Sequence, residues 1–520
     1  MKIPAELLDL HLAYRRLKED LKTDFIHYPI EKEVFDYRRE ENLEQLRFEM
    51  EDDYKPVLVR RIDVPKQNRT LRPGAVPRLK DRIVLQALID SIAETVGDQL
   101  IPDSDNVVFS HRVKKNGDEH LFKLGGYERF EERTLSGLQS GERYLLETDI
   151  AAYFEHVDMG RLAAILSGFG VESGTTNNIL EVITAWNGTK YHGLPQGTWP
   201  SDFLGNIYLD PLDKYMLRRG HDYFRYGDDI RVFGNSKLEL HRALKDLTVE
   251  LRSLHLNLQT EKTLLLHGTQ LKKYVDYRHS RLQEFSKTLP PVIIVNYEYG
   301  GDVQVEEQDV TVEDIQKSEE LLLQYLRKHV FRSDDKYDAR MLRYCIGLLT
   351  RLGSSVAEDE VLHWLPHCPA ETKLLVNYLG TSNYFKKIKD ALIGYLASEE
   401  NIYEWSEMWA LEYLIRAKER FEGEAILDAG DMKVVRGIAN DKNRHWICRF
   451  KAIRICGLYG DDQDRRALME SYDDEPQLEI QYAIVLACEK LNPVQRNRFY
   501  QLCEGQNNEM NQLICCIMNK

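Results

Sequence analysis

Tyr226-Gly227-Asp228-Asp229 joins two short runs of alternating apolar residues, Phe224 and Tyr226 before it and Ile230 and Val232 after it, with Arg225 and Arg231 on the opposite faces. Alternation of period two marks strands, and a Gly at their junction predicts a β-hairpin. Gly takes the turn conformation without a Cβ penalty, so two adjacent carboxylates are displayed at the tip instead of being lost on a sheet face. Such a tip can hold a divalent cation. Average residue usage gives a particular tetrapeptide in roughly one of several hundred chains of this length, and a surface Gly-Asp turn is the plain alternative. The neighbouring segments decide between the two.

Upstream, residues 143–150 read as a strand that ends on Asp149, followed at once by Ala151-Ala152-Tyr153-Phe154-Glu155-His156. Nucleotidyl transfer is an in-line displacement in which two metals, roughly 4 Å apart, stabilise the attacking and leaving oxygens. Hard Mg²⁺ then needs carboxylate oxygens gathered from separate elements. Asp149, Asp228 and Asp229 supply that set. A lone Asp at a strand end is more often a helix cap, but three carboxylates in this order are not explained as caps. Between them, Gly193-Leu194-Pro195-Gln196-Gly197 forms a Gly/Pro loop feeding a helix with Phe203, Leu204, Ile207 and Tyr208 inward. After the hairpin, a helix over Leu238 to Leu254 leads to Gln259-Thr260-Glu261-Lys262-Thr263, which brings a lysine shortly past the acidic tip.

The order and spacing of these four blocks resemble the palm of reverse transcriptases. The fingers signature of that family is matched by Val64–Pro77, with Lys66, Arg69 and Arg72, and by Asp81-Arg82-Ile83-Val84-Leu85-Gln86, so the motifs span roughly residues 55 to 280. The resemblance implies a fold and a set of roles. The fold would be α+β, an antiparallel palm sheet with helices, preceded by N-terminal helices over about 1–50. Asp149 and Asp228 would ligate both metals, with Asp229 beside them and the Ile150 carbonyl as an extra ligand. The cofactor would be Mg²⁺ in a two-metal site, with Mn²⁺ as the alternative. Phe154 matches the aromatic that lies under the sugar and excludes a 2′-hydroxyl, which makes the substrates dNTPs. Gln196 and Gly197 would line the nucleotide and template, Lys66, Arg69 and Arg72 would reach the triphosphate, and Lys262 would assist the leaving pyrophosphate. RNA-dependent RNA polymerases share the Gly-Asp-Asp hairpin but usually carry a small residue and an Asp sugar sensor where this chain has Phe154.

The formal net charge is −15, which excludes phosphate neutralisation over the whole surface. Basic charge is local instead: residues 55–82 hold nine Lys/Arg against Asp63 and Asp81. At 520 residues the chain is long enough for two or three domains. It opens without a charged-then-apolar leader, and no apolar run approaches the roughly 18 residues that span a bilayer. A soluble, cytoplasmic protein without a membrane partner is the expectation. The eight cysteines, from Cys345 to Cys516, fall on apolar helical faces and read as reduced core residues. His363, His367 and Cys368 lack a second ligand pair at zinc spacing.

Beyond a short β-like segment at Val292–Tyr297, the sequence reads as helix after helix from near Val312. Cys448–Cys456 can be laid on Ile480–Cys488 with an offset of 32, and Met408–Leu414 is a weaker echo. Recurrence at this period predicts paired-helix repeats of HEAT type stacked into a solenoid, with an irregular bundle as the alternative. The expected division is 1–290 for fingers and palm and 291–520 for an all-α HEAT-like repeat domain. A palm joined to such a domain looks like the bacterial defence-associated reverse transcriptases, the abortive-infection polymerases and their relatives. That resemblance implies an antiphage role and homo-oligomers. It also implies single-stranded DNA made without a conventional primer, untemplated or copied from a companion non-coding RNA, with the product attached to a protein tyrosine. Tyr28, Tyr37 and Tyr54 are candidate acceptors. The alternatives are a conventional primer- and template-dependent enzyme of the retron or group II intron kind, and a binding scaffold with a dead palm. The intact carboxylates argue against the scaffold.

Overall fold

The computed structural model describes the chain except residues 116–118, 140–142, 189–192, 276–288, 290–292, 298–302, 308–310, 334–335, 422, 424–425, 506 and 520. The chain forms two compact units. One comprises Met1–Glu31, Arg39–Arg61 and Gly74–Ser286, the other Lys32–Arg38, Ile62–Pro73 and Lys287–Lys520. A hairpin of β1 (Arg60–Pro65) and β2 (Leu71–Val76) contributes to both, its tip belonging to the second.

The first unit is built on a four-stranded antiparallel sheet of β3 (Tyr144–Asp149), β4 (Asp222–Tyr226), β5 (Asp229–Gly234) and β6 (Leu264–His267), in the order β4-β5-β3-β6. The hairpin expected around Gly227 is β4–β5, closed by the Tyr226–Asp229 pair. One side of the sheet carries Leu145, Phe224 and Phe233 into a core with Phe109, Phe130 and Leu271. The arginines depart from the simple alternating pattern. Phe224 pairs with Arg231, and Arg225 with Ile230, so each arginine shares a face with an apolar partner. Both faces are covered, and both arginines are buried in ion pairs. Arg225 donates from Nε and Nη2 to the two Asp213 oxygens, both at 2.7 Å. Arg231 meets Glu131 Oε1 at 2.7 Å and the Thr134 hydroxyl. Breaking such a pair strands a buried charge, at a cost of about 3–5 kcal/mol.

Helix Trp199–Tyr208 starts where Thr198 accepts the Ser201 N–H and Pro200 occupies the first turn. Phe203, Leu204, Ile207 and Tyr208 are fully buried, as the pattern predicts, and Pro200, Ser201, Gly205 and Asn206 are buried too. The helix is surrounded instead of amphipathic.

In the second unit, strands Ile293–Tyr297 and Val303–Glu307 pair antiparallel, and Phe331–Ser333 pairs with Lys336–Tyr337. These two small hairpins interrupt what the sequence presents as almost continuous helix. Beyond them, helices Ala339–Arg351, Thr372–Leu379, Glu404–Arg420, Trp446–Tyr459 and Leu478–Ala487 each pack on the next in that list, while intervening helices such as Phe385–Ala397, Ala429–Asn440 and Asp462–Glu470 lie between them in the chain. The 32-residue echo therefore corresponds to direct neighbours, Trp446–Tyr459 against Leu478–Ala487. Their approach is close enough to demand glycine: a Cβ on Gly457 would fall 2.4 Å from Ala487 Cα. Gly457→Ala should cost about 1–3 kcal/mol through overpacking, read as a lower melting temperature. An unchanged melt would show that the two helices can move apart freely. Buried pairs tie successive layers, Lys451 to Glu412 at 2.6 Å and Arg449 to Glu475 at 2.6 Å. Six cysteines are buried and free; Cys515 and Cys516 are half-buried.

Candidate active site

The three carboxylates converge. Asp149 ends β3 directly opposite Asp229, the first residue of β5, and Asp228 is the second residue of the intervening turn. Gly227 takes φ +59°, the positive value that a two-residue hairpin loop requires and that glycine adopts without strain. Like charges directly opposite on a sheet repel. Burial first, and then the charges of Asp149 and Asp229, push the Asp228 carboxyl well above the usual carboxylate range. Three carboxylates therefore share one corner of the sheet at an electrostatic cost that Asp228 registers.

Lys262 brings partial relief. Its ammonium donates to Asp149 Oδ2. Desolvation lowers the lysine pKa, but the hydrogen bond and charge of Asp149, helped by Asp229 and Asp228, more than offset it and leave the pKa raised. The segment bearing Lys262 is pinned to the end of β3: Gln259 N–H donates to the Asp149 carbonyl at 2.7 Å, Ala151 N–H to the Asn257 carbonyl at 2.8 Å, and the Thr148 and Thr263 hydroxyls meet at 2.8 Å. Ile150 bridges Leu258 in the same seam.

Among the described residues no group of three His, Cys, Asp or Glu side chains is arranged to hold a metal ion as it stands. That geometry still suits Mg²⁺, which is commonly held by one or two carboxylates and completed by substrate phosphates and water, not by an all-protein cage. The raised Asp228 carboxyl, and an ammonium already drawn onto Asp149, are what a cation-binding cluster of hard oxygen donors should show.

The remaining candidates divide into two groups. Phe154 lies in the short helix Tyr153–His156 that follows Ala152, a residue at φ +45°. Its carbonyl accepts from Leu194 N–H at 2.7 Å, and its ring edges against Gly205, where a Cβ would lie 3.3 Å from Phe154 Cε1. Tyr153 donates to the Gly205 carbonyl. Gln196 bridges Gly74, its carbonyl accepting from Ala75 N–H at 3.3 Å. Gly197 has φ +100°, and a Cβ there would come within 2.9 Å of two Phe25 ring carbons, so both conformation and space select glycine. Lys66, Arg69 and Arg72 are exposed and belong to the second unit, where Gln67 Nε2 of the same hairpin tip donates to the Tyr337 carbonyl at 2.8 Å. The structure thus brings Asp149, Asp228, Asp229 and Lys262 into contact range of one another within the first unit, whereas the three basic fingers residues belong to the second. Arg82, counted among the basic residues of the fingers, is buried against Asp20 and Asp24 at 2.8 and 2.6 Å.

Of the candidate tyrosines, Tyr54 is buried and donates to Asp81 at 2.5 Å, Tyr28 stacks beneath Arg60, and the Tyr37 hydroxyl accepts from Asn519 at 2.7 Å. Two parts of the site had no clear local signal in sequence. One is the Arg225–Asp213–Asn206 network, with Arg225 Nη1 at 2.9 Å from Asn206 Oδ1. The other is Ser110, whose hydroxyl accepts from Gly227 N–H at 2.8 Å.

Residues 64–311 match the family described as reverse transcriptase (RNA-dependent DNA polymerase). Just under half of the chain is thus similar to a reverse transcriptase domain. The matched stretch contains the carboxylate cluster of β3 and the β4–β5 turn. The chain is similar to the group II intron-encoded protein LtrA of Lactococcus lactis subsp. cremoris, 26% identical over 226 residues that make up 41% of this chain and 34% of LtrA. It is likewise 27% identical to protein YkfC of Escherichia coli strain K12 over 201 residues, 36% of this chain and 49% of that one. The chain thus spans about a third to a half of the length of these relatives. Among solved structures, telomerase from Candida albicans in complex with a fragment of telomeric RNA aligns with a TM-score of 0.32 and 10% identity, over 72% of this chain and 65% of that one. Among the described residues no helix is long and apolar enough to cross a membrane.

Proposed function

We propose that the reverse transcriptase domain polymerises dNTPs into DNA at the site formed by Asp149, Asp228 and Asp229. The observation that carries this reading is the cross-strand Asp149–Asp229 pair with Asp228 on the adjoining turn. It is a concentration of carboxylates whose mutual repulsion has no structural purpose without a cation. Divalent metal bound there supplies charge neutralisation for the attacking and leaving oxygens. Asp149 and Asp228 are the ligands, with Asp229 and the Ile150 carbonyl beside them. Lys262, drawn to Asp149, would donate to the departing pyrophosphate. Phe154, fixed by the Leu194 hydrogen bond and seated on Gly205, is the sugar-facing aromatic, and Gln196 and Gly197 line the nucleotide. Lys66, Arg69 and Arg72 serve as the triphosphate grip of the fingers.

For the first phosphoryl acceptor we favour a tyrosine hydroxyl of the protein, with single-stranded DNA made in antiphage defence, untemplated or from a bound non-coding RNA. The stacked alternate helices of the second unit support this reading, since they fit the HEAT-like architecture on which the resemblance to defence polymerases rests, and homo-oligomers belong to the same reading. The similarity to group II intron-encoded LtrA favours a conventional reaction on an annealed primer and template. Incubating the pure protein with Mg²⁺ and labelled dNTPs, without added nucleic acid, separates the two. Label should move onto the polypeptide on a denaturing gel and be trimmed by nuclease. Digesting copurified RNA in a parallel sample tests for a bound template, because loss of labelling there identifies one. Label that appears only on a supplied primer assigns the conventional reaction.

A further inference from the structure

The ladder between β4 and β5 ends at the Tyr226–Asp229 pair, so the polar groups of Gly227 lie beyond it. Both are nonetheless held. Gly227 N–H donates to Ser110 Oγ at 2.8 Å, and the Gly227 carbonyl accepts from Arg225 Nη1 at 3.2 Å. The two peptide groups flanking Gly227 are thus anchored from outside the turn, and the second of them leads into Asp228.

Neither anchor is free to drift. Arg225 is fully buried, with Asp213 holding Nε and Nη2 and Asn206 holding Nη1 through Oδ1 and Nη2 through its carbonyl. Ser110 is fully buried too, and its segment is bonded to β4: Arg225 N–H donates to the Val107 carbonyl at 2.8 Å and Phe109 N–H to the Arg225 carbonyl at 3.1 Å. The next residue, His111, sits at φ +49°, a region that a residue with a Cβ occupies only when its surroundings hold it there. Serine is the small side chain that places a hydroxyl acceptor at this point. Alanine would leave the N–H without that partner and the turn anchored on one side only.

We propose that Ser110 is a positioning residue for nucleotidyl transfer, its hydroxyl and the Arg225 guanidinium together clamping the turn so that the Asp228 carboxylate keeps a fixed place relative to Asp149. This rests on the reading of Asp228 as a metal-holding carboxylate. A clamp of this kind acts on geometry, and catalytic constellations lose rate steeply with small displacements, whereas binding of the nucleotide by other residues is little changed.

Ser110→Ala in the full chain should lower kcat for dNTP incorporation by roughly 10- to 100-fold at saturating Mg²⁺, while KM for the dNTP stays within about twofold. In the same variant, hydrogen exchange followed over 222–232 should speed up at the Gly227 amide. Ser110→Cys, near in size but a weak acceptor, should fall between the two and serves if the alanine variant folds poorly. Wild-type kcat together with unchanged Gly227 exchange in either variant overturns the clamp. A fall in kcat matched by an equal rise in KM, with Gly227 exchange unchanged, overturns it as well. If the parent protein incorporates no nucleotide, the reading of the site fails, and the exchange measurement still decides on its own whether Ser110 holds the turn.

Discussion

Replacing Asp228 with Asn should reduce dNTP incorporation by on the order of 10³-fold or more while leaving the fold intact, because the substitution keeps the side-chain volume and removes the charge that the reacting phosphates need neutralised through metal. Asp149→Asn should do the same. Neither should destabilise the protein. Asp149 and Asp229 face each other across the sheet, and burial and these neighbours make the charged form of Asp228 costly, so deleting one carboxylate relieves repulsion. The pattern to look for is a melting temperature at or slightly above the parent value alongside a lost kcat. Near-parental incorporation by Asp228→Asn would falsify the assignment of the catalytic carboxylates.

The second large effect concerns the sugar. Phe154→Ala should let rNTPs be incorporated, shifting the rGTP to dGTP ratio in matched reactions by about tenfold or more, since a pocket that rejects a hydroxyl by bulk loses that discrimination when the bulk is removed. The ring is half-buried and packs edge-on to Gly205 and near Tyr153, with centroids 5.3 Å apart, so its loss should cost about 1–2 kcal/mol of stability and not the fold. Gly205→Ala offers a complementary probe from the helix side. A Cβ at that position would press on the ring at 3.3 Å and should tighten rejection of ribose instead of relaxing it. An unchanged ratio in Phe154→Ala removes this aromatic from the sugar pocket.

What could be read from sequence was what local patterning controls. The alternation around Gly227 located β4, the turn and β5, and the hydrophobic period of Leu238–Leu254 located helix Lys237–Ser253. The echo at offset 32 picked out two helices that pack directly on each other. The misreadings share a cause, which is a partner far away in the chain. Alternation alone sets Arg225 on the face opposite the apolar positions, and only Asp213, on a helix folded against the sheet, makes its burial stable. Arg82 reads as one more basic fingers residue until Asp20 and Asp24 arrive from about sixty positions upstream. Val303–Glu307 is too acidic to look like a strand by itself, and it becomes one by pairing with Ile293–Tyr297. Ser110 carried no signal at all, because an isolated serine gains meaning only from the Gly227 N–H that it meets 117 residues away. The carboxylate cluster was legible for the opposite reason: a strand end and a hairpin turn are local features, and the sheet register then brings them together.

The most direct test of the central claim is the incorporation of labelled dNTPs by the purified full-length protein, assayed with Mg²⁺ or Mn²⁺, with and without an annealed RNA template and DNA primer, and with the metal removed by chelator. The account predicts metal-dependent DNA synthesis in at least one of these mixtures, a strong preference for dNTPs over rNTPs, and loss of all synthesis on chelation. A folded protein that adds no dNTP in any mixture with either metal, or that adds dNTPs just as well with chelator present, contradicts it.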